Sequence, residues 1–282
     1  MSDLLFDAPG PRGRRRMIWV NVVATLVVAG IGVLVLLRLA EKGQLAAALW
    51  KPFVQASTWT DYLLPGLKGT LEAAALSIVA AGVFGLGRLS RSRTVRTVAG
   101  VVVEFFRAVP VLLMMIFFYL GLNQLKVLSP QDVPLAAVVM GLTLYNGSVF
   151  AELVRSGVHN LPRGQREAAY ALGLRRGQSL RSVEVPQALI AMLPAIASQL
   201  VVILKDTALG YIVTYPELLD AARRVGAGNG NILQSLVVAA LIFIVINYAL
   251  TRLASLLARR LGGRTAGRTS AAAPALTVDV KG

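Results

Sequence analysis

The chain has 282 residues, of which 56% are hydrophobic and only 15% charged, and its formal net charge is +15. With a mean hydropathy of +0.66 this excludes an ordinary soluble domain, in which about a quarter of residues are charged, and points to an integral membrane protein. The lack of cysteine excludes disulfides and thiolate metal sites, and the single histidine, His159, excludes a multi-histidine metal centre.

A bilayer-crossing helix needs about 20 apolar residues, and six stretches qualify. A basic tail, 1–16, precedes the first, 17–39. PRGRRR imitates the start of a signal peptide, but the apolar run after it is too long and lacks a cleavage site, so it reads as a retained helix. Trp50 and Trp59 follow in a loop, where aromatics anchor helices at the membrane interface. The second span, 62–87, holds Lys68 and Glu72 four apart, able to pair on one face. The third is 98–122 (VAGVVVEFFRAVPVLLMMIFFYLGL) and the fourth 134–157. The fifth is 187–209 and the sixth 232–258. The tail 259–282 is Ala/Ser/Thr-rich at its end, cannot bury a core and reads as disordered.

The loops set the orientation. Arg12, Arg14, Arg15 and Arg16 precede the first span, and Arg88, Arg91, Arg93 and Arg96 follow the second. Arg155 closes the fourth and Arg163, Arg166, Arg175, Arg176 and Arg181 follow it, and Arg259, Arg260, Arg264 and Arg268 follow the sixth. The alternate loops are nearly neutral. Basic loops stay in the cytoplasm, so both termini are expected there. The positive charge is then a topology signal rather than a nucleic-acid footprint.

On that same side lies 161–186, containing RGQREAAYALG. Pro162 suits a first helical turn, Ala168, Ala169, Ala171 and Leu172 favour helix, and Gly173 is placed to end it in a left-handed cap. Physically this is either an amphipathic helix on anionic headgroups or an exposed docking helix for a soluble partner.

The motifs separate these readings. Glu167-Ala168-Ala169, then Gly173, then Val183-Glu184-Val185-Pro186 resembles the EAA signature of permease subunits of bacterial ABC importers, with valines at two usual Ile/Leu positions. Glu104-Phe105-Phe106-Arg107-Ala108-Val109-Pro110 and Ala151-Glu152-Leu153-Val154-Arg155-Ser156-Gly157-Val158 resemble motifs of its polar amino acid (histidine/glutamine/glutamate) branch. So do Gly164-Gln165-Arg166-Glu167-Ala168, Pro186-Gln187-Ala188 and Leu204-Lys205-Asp206-Thr207-Ala208-Leu209. TLYNGSVFAELVRSG and KDTALGYIVTYPELL are similar to the glutamate-uptake permeases, the D subunit especially. Other relatives carry a small residue, Ala and Tyr where Asn146-Gly147-Ser148 stand.

The resemblance implies an all-α integral membrane protein with six transmembrane helices. One extra N-terminal helix would precede a five-helix type I importer permease domain, 60–258, with a cytoplasmic coupling helix. It implies coupling through Gly164, Gln165, Glu167, Ala168, Ala169, Gly173 and Pro186, and uptake of a polar amino acid, glutamate first and aspartate or glutamine behind. The implied partners are two ATPase subunits, a second homologous permease and an external substrate-binding protein. ATP and Mg would sit on the ATPases, and this chain would bind no cofactor.

Within the spans, ionisable and polar groups are the candidates for a substrate pathway. Glu104 and Arg107 are three apart and either pair structurally or line the path. Pro110 permits a bend. Lys205 and Asp206, about 27 Å along their span at 1.5 Å per residue, are expected near its outer end. There Lys205 either snorkels to the interface or attracts an anionic amino acid, with Thr207 beside it. Thr143, Asn146 and Ser148 either bond across helices or meet the substrate, with Asn146 the leading candidate. Glu152 and Arg155 are expected to brace the coupling segment, His159 to be an exposed loop residue, and Met114 and Met115 to pack.

PGLKGT at 65–70 is not a phosphate-binding loop, so the chain is expected not to hydrolyse ATP itself. A secondary transporter without an ATPase is the competing reading. Such proteins often carry paired repeats, and no convincing duplication is visible. An assembly or sensor subunit would explain the basic loops but not five spaced motifs.

Overall fold

The computed structural model describes residues 10–85 and 92–266, and every regular element among them is helical. Helix α1, Pro11–Glu41, starts on a proline, whose missing N–H costs nothing in a first turn. It therefore takes in Arg14, Arg15 and Arg16, so this part of the basic stretch is helical rather than a loose tail. Its apolar stretch buries nothing inside the chain, and Trp19 is 69% exposed.

Gly43, with φ +67°, turns the chain out of α1. A 3-10 segment (Ala47–Val54), a single turn (Ala56–Thr58) and a π turn (Trp59–Leu63) lead into α2, Leu64–Gly85. This link is stitched to the far end of the sequence. The Asn231 side chain donates to the Leu49 carbonyl at 2.7 Å and Gln234 to the Gln44 carbonyl at 2.5 Å. The Trp59 indole donates to the Phe53 carbonyl at 2.8 Å.

Helix α2 buries Gly66, Thr70, Ala73, Ala74, Ser77 and Ala81, a small-residue face that lets neighbouring backbones come close. It packs along α5, Val133–His159, the central helix. Lys68 and Glu72 share an exposed face, and no ion pair joins them among the described residues.

The third expected span is not one helix. Helix α3, Arg93–Ala108, and helix α4, Val111–Leu125, meet at 98°. Pro110 is the cause: it disfavours helical backbone at the residue before it, and Val109 is extended (φ −87°, ψ 127°). The Pro110 carbonyl then starts α4, accepting from Leu113 N at 3.0 Å. Apolar composition runs through the corner, so hydropathy alone conceals it.

Helix α4 lies against α5, with Met114 and Met115 buried between them. A Cβ on Gly141 would stand 2.8 Å from Met115 Cγ, so only glycine lets these helices touch. After α5 come α6, Arg163–Ala171, a turn at Arg176–Ser179 and a π turn at Leu180–Glu184. The fifth span arrives in pieces: α7, Val185–Ala191, then α8, Leu193–Asp206, and a 3-10 stretch, Thr207–Val213. They break at Met192 (φ −96°, ψ 3°), before Pro194. Helix α9, Leu218–Asn229, precedes α10, Ile232–Ala266. The last helix thus runs well past 258, and 267–282 lie outside the described residues.

Among the described residues five helical runs are long and apolar enough to cross a membrane, and six if the bent α3–α4 pair counts as one span; six were expected. One end of the bundle carries α6; the other carries α9 and the 43–63 link.

Candidate functional site

Two groups of the sequence candidates lie at different levels of the bundle. The first is the coupling segment. Gln165 N donates to the Pro162 carbonyl at 3.0 Å, opening α6. Gly173, with φ +76°, closes it, and Leu174 N donates to the Ala169 carbonyl at 3.1 Å, a left-handed cap suited to glycine. Gly164, Gln165, Glu167, Ala168, Gly173 and Pro186 are all exposed; Ala169 alone turns inward, 3% exposed. Tyr170 and Leu172 also project, Leu172 82% exposed.

The underside of α6 is fastened to the root of α7. Arg166 Nε donates to Glu184 Oε2 at 3.0 Å, and Ser179 Oγ donates to Glu184 Oε1 at 2.8 Å. Gln187 Nε2 donates to Gln165 Oε1 at 3.0 Å. Glu184 is 4% exposed, and a carboxylate so placed needs the partners it has. Sequence reasoning passed over it as a filler in V-E-V-P. Its signal is that Glu167 and Glu184 are the only acids in 161–186, among many arginines. On α5 Arg155 Nε donates to both Glu152 oxygens at 2.9 Å. His159 is exposed as expected, but it is the last residue of α5 rather than a loop residue.

The second group is a buried polar cluster between α5 and α8. Asn146 is fully buried and its Oδ1 accepts from Gln199 Nε2 at 2.6 Å. The Asp206 carboxylate lies near the Asn146 amide without closing a hydrogen bond to its Nδ2. Gln199 and Asp206 are seven apart, two turns, and so share a face of α8; that spacing could have revealed Gln199, which the motif comparison missed. Asn146 Nδ2 and Thr143 Oγ1, three apart on α5, are buried without a hydrogen-bond partner. Such atoms cost free energy unless something else meets them.

Other candidates fall elsewhere. Ser148 Oγ donates to the Leu144 carbonyl at 2.6 Å and Thr207 Oγ1 to the Leu204 carbonyl at 2.7 Å, so both buried hydroxyls spend their hydrogen on their own helix. Lys205, about 120° around α8 from Gln199, opens on a groove of about 440 Å³ with Leu219, Phe243 and Asn247. Glu104 and Arg107 are exposed on α3, and no ion pair joins them among the described residues. The corner at Pro110 takes them out of the straight span in which pairing was expected.

At the far end, the turn 214–218 is docked on α2. The Tyr215 hydroxyl donates to the Gly69 carbonyl at 2.8 Å, and Leu218 N donates to Thr70 Oγ1 at 3.1 Å. Glu217, fully buried, caps α9 by accepting from Leu219 N and Asp220 N, each at 2.7 Å. Burial pushes its pKa up to about 7, against the pull of those two N–H groups. A Cβ on Gly69 would lie 2.5 Å from the Pro216 carbonyl oxygen, so this contact requires glycine. Among the described residues no three His, Asp or Glu converge as a metal would need.

The family model for the binding-protein-dependent transport system inner membrane component matches residues 73–263. The glutamate transport system permease protein GluD of Corynebacterium glutamicum is 48% identical over 227 residues, covering 79% of this chain and 83% of that protein. The glutamate/aspartate import permease protein GltK of Escherichia coli O6:H1 is 30% identical, covering 71% and 93%. Among solved structures, an amino acid ABC transporter with histidines has a TM-score of 0.61 at 26% identity, over 72% of this chain and 94% of that one.

Proposed function

Because this chain belongs to the family of binding-protein-dependent transport system inner membrane components, we propose that it is the permease of an importer for an acidic amino acid, L-glutamate first. It is an integral membrane protein and not itself an enzyme. The family implies an ATPase and a substrate-binding protein as partners, and ATP with its Mg belongs to the ATPase. Within that frame, two ATPase subunits and a second, homologous permease complete the assembly. The substrate-binding protein meets the α9 end. The arginine-rich loops keep the α6 end and both termini in the cytoplasm of a bacterial cell.

The observation that carries the reading is α6 itself. Its Gly164, Glu167 and Ala168 are bare, and its underside is tied to α7 by Arg166–Glu184 and Gln165–Gln187. A partner that grips the bare face and moves pulls on α7, and through Met192 on α8, which holds Gln199 and Asp206. Those two with Asn146 and Thr143 form the polar stretch that an amino acid would meet between α5 and α8. Asp206 and the Asn146 and Gln199 oxygens suit an ammonium; the Asn146 Nδ2 suits a carboxylate oxygen. The preference for glutamate rests on the relatives' names, GluD and GltK.

Glu167→Lys places a wrong-sign charge on the gripping face. It is expected to abolish ATP-dependent uptake of labelled glutamate while membrane insertion stays intact; undiminished uptake defeats the reading. Competition by unlabelled amino acids in a deletion strain tests the cargo, and aspartate or glutamine outcompeting glutamate would reassign it.

A further inference from the structure

The Pro110 corner leaves α3 with an unassigned surface. If α4 crosses the bilayer, a helix at 98° to it must lie close to the membrane plane. Successive residues of a helix are 100° apart, which sorts α3 into three groups. Val103 is buried, with Ala99 and Phe106 half-buried beside it, on the side toward α5. Glu104 and Arg107 are exposed next to that side, with the buried Gly100 between them. Val98, Val101 and Phe105, at spacings of three and four, make a third that is 58%, 66% and 61% exposed. Water would not leave such a stripe bare at no cost.

We propose that α3 is an interfacial helix whose Val98–Val101–Phe105 stripe is seated in the cytosol-facing leaflet, beside anionic headgroups. The charge of the helix selects that occupant: its sequence, 93–108, carries Arg93, Arg96 and Arg107 against the single acid Glu104. A polybasic segment next to a membrane is drawn to anionic lipid, and an amphipathic helix with large apolar residues opposite a charged face lies in the interface plane. The leaflet assignment rests on the orientation proposed above; the in-plane seating rests on the corner.

The chain has no cysteine, so single-cysteine variants need no background removal. Full-length Val101→Cys, Phe105→Cys and Glu104→Cys are assembled with the ATPase in vesicles of phosphatidylethanolamine, with and without phosphatidylglycerol, and nitroxide-labelled. The labels at 101 and 105 are expected to relax with oxygen and not with a water-soluble nickel complex, and the label at 104 the reverse. Adding phosphatidylglycerol is expected to deepen the labels at 101 and 105, and Arg107→Gln to reduce that deepening. Nickel access at 101 and 105, or shielding there from both reagents as against a protein partner, overturns the seating. Equal depth with and without anionic lipid overturns the headgroup contact. An impermeant thiol reagent that reaches position 104 only from the extracytosolic side overturns the orientation and leaves the in-plane seating standing.

Discussion

Adjacent residues can serve different surfaces. Lys205 and Asp206 differ by 100° around α8, and that rotation sends the lysine to the groove with Asn247 while the acid lies near Asn146. Asn146→Ala and Asp206→Asn are therefore expected to lower glutamate uptake by about tenfold or more, the order set by one lost hydrogen bond to a bound substrate. Lys205→Gln should cost less. A transport assay at matched membrane content compares the three, and an Asn146→Ala variant with unchanged KM and maximal rate removes the cluster from the pathway. Glu217 gives a second residue-level expectation. Its folded pKa, about 7, lies above the ordinary 4.5. The folded state therefore holds its proton more tightly than the unfolded state. The stability this adds is fully present below pH 4.5, is withdrawn as pH rises to about 7, and is gone above it. The melting temperature of the detergent-purified protein should fall across that window, and Glu217→Gln should flatten the fall.

Whole elements were unevenly legible in the sequence. Helix α6 was readable because its punctuation is local: Pro162 before it, alanines within it and Gly173 after it each act on their own backbone. The Glu152–Arg155 pair, three apart on one helix, was readable for the same reason. The α3–α4 corner was not, because hydropathy reports composition and carries no direction; both limbs are apolar. Gln199 and Glu184 were missed because each takes its role from a partner on another segment. At this scale the tie between α6 and α7 makes a reciprocal expectation. Glu184→Arg alone leaves two guanidinium groups facing each other, and uptake should be lost while the ATPase still co-purifies. The double variant Arg166→Glu with Glu184→Arg restores the pair and should recover a measurable part of uptake. Equal loss in the single and double variants would mean that the pair packs the segment without carrying motion through it.

For the molecule as a whole, the core and the first helix are nearly separate. The family model matches 73–263, and the apolar part of α1 buries nothing within the chain. Removing residues 2–41 is therefore expected to leave the melting temperature of the remaining core within a few degrees, and the chain should still co-purify with its ATPase. The arginines after α2 and around α6 remain to hold the orientation. Loss of ATPase association on truncation would show that α1 supports the assembly in a way its bare surface does not reveal.

The stitches between the 43–63 link and α10 also set an order in time. The carbonyls of Leu49 and Gln44 receive their amide partners from residues 182 and 190 positions later. At roughly 5–20 residues per second of synthesis, those oxygens wait on the order of 10–40 seconds. A chain not yet grown past Gln234 leaves the 43–63 link without these amide partners, so the start of α10 is what fastens the first loop.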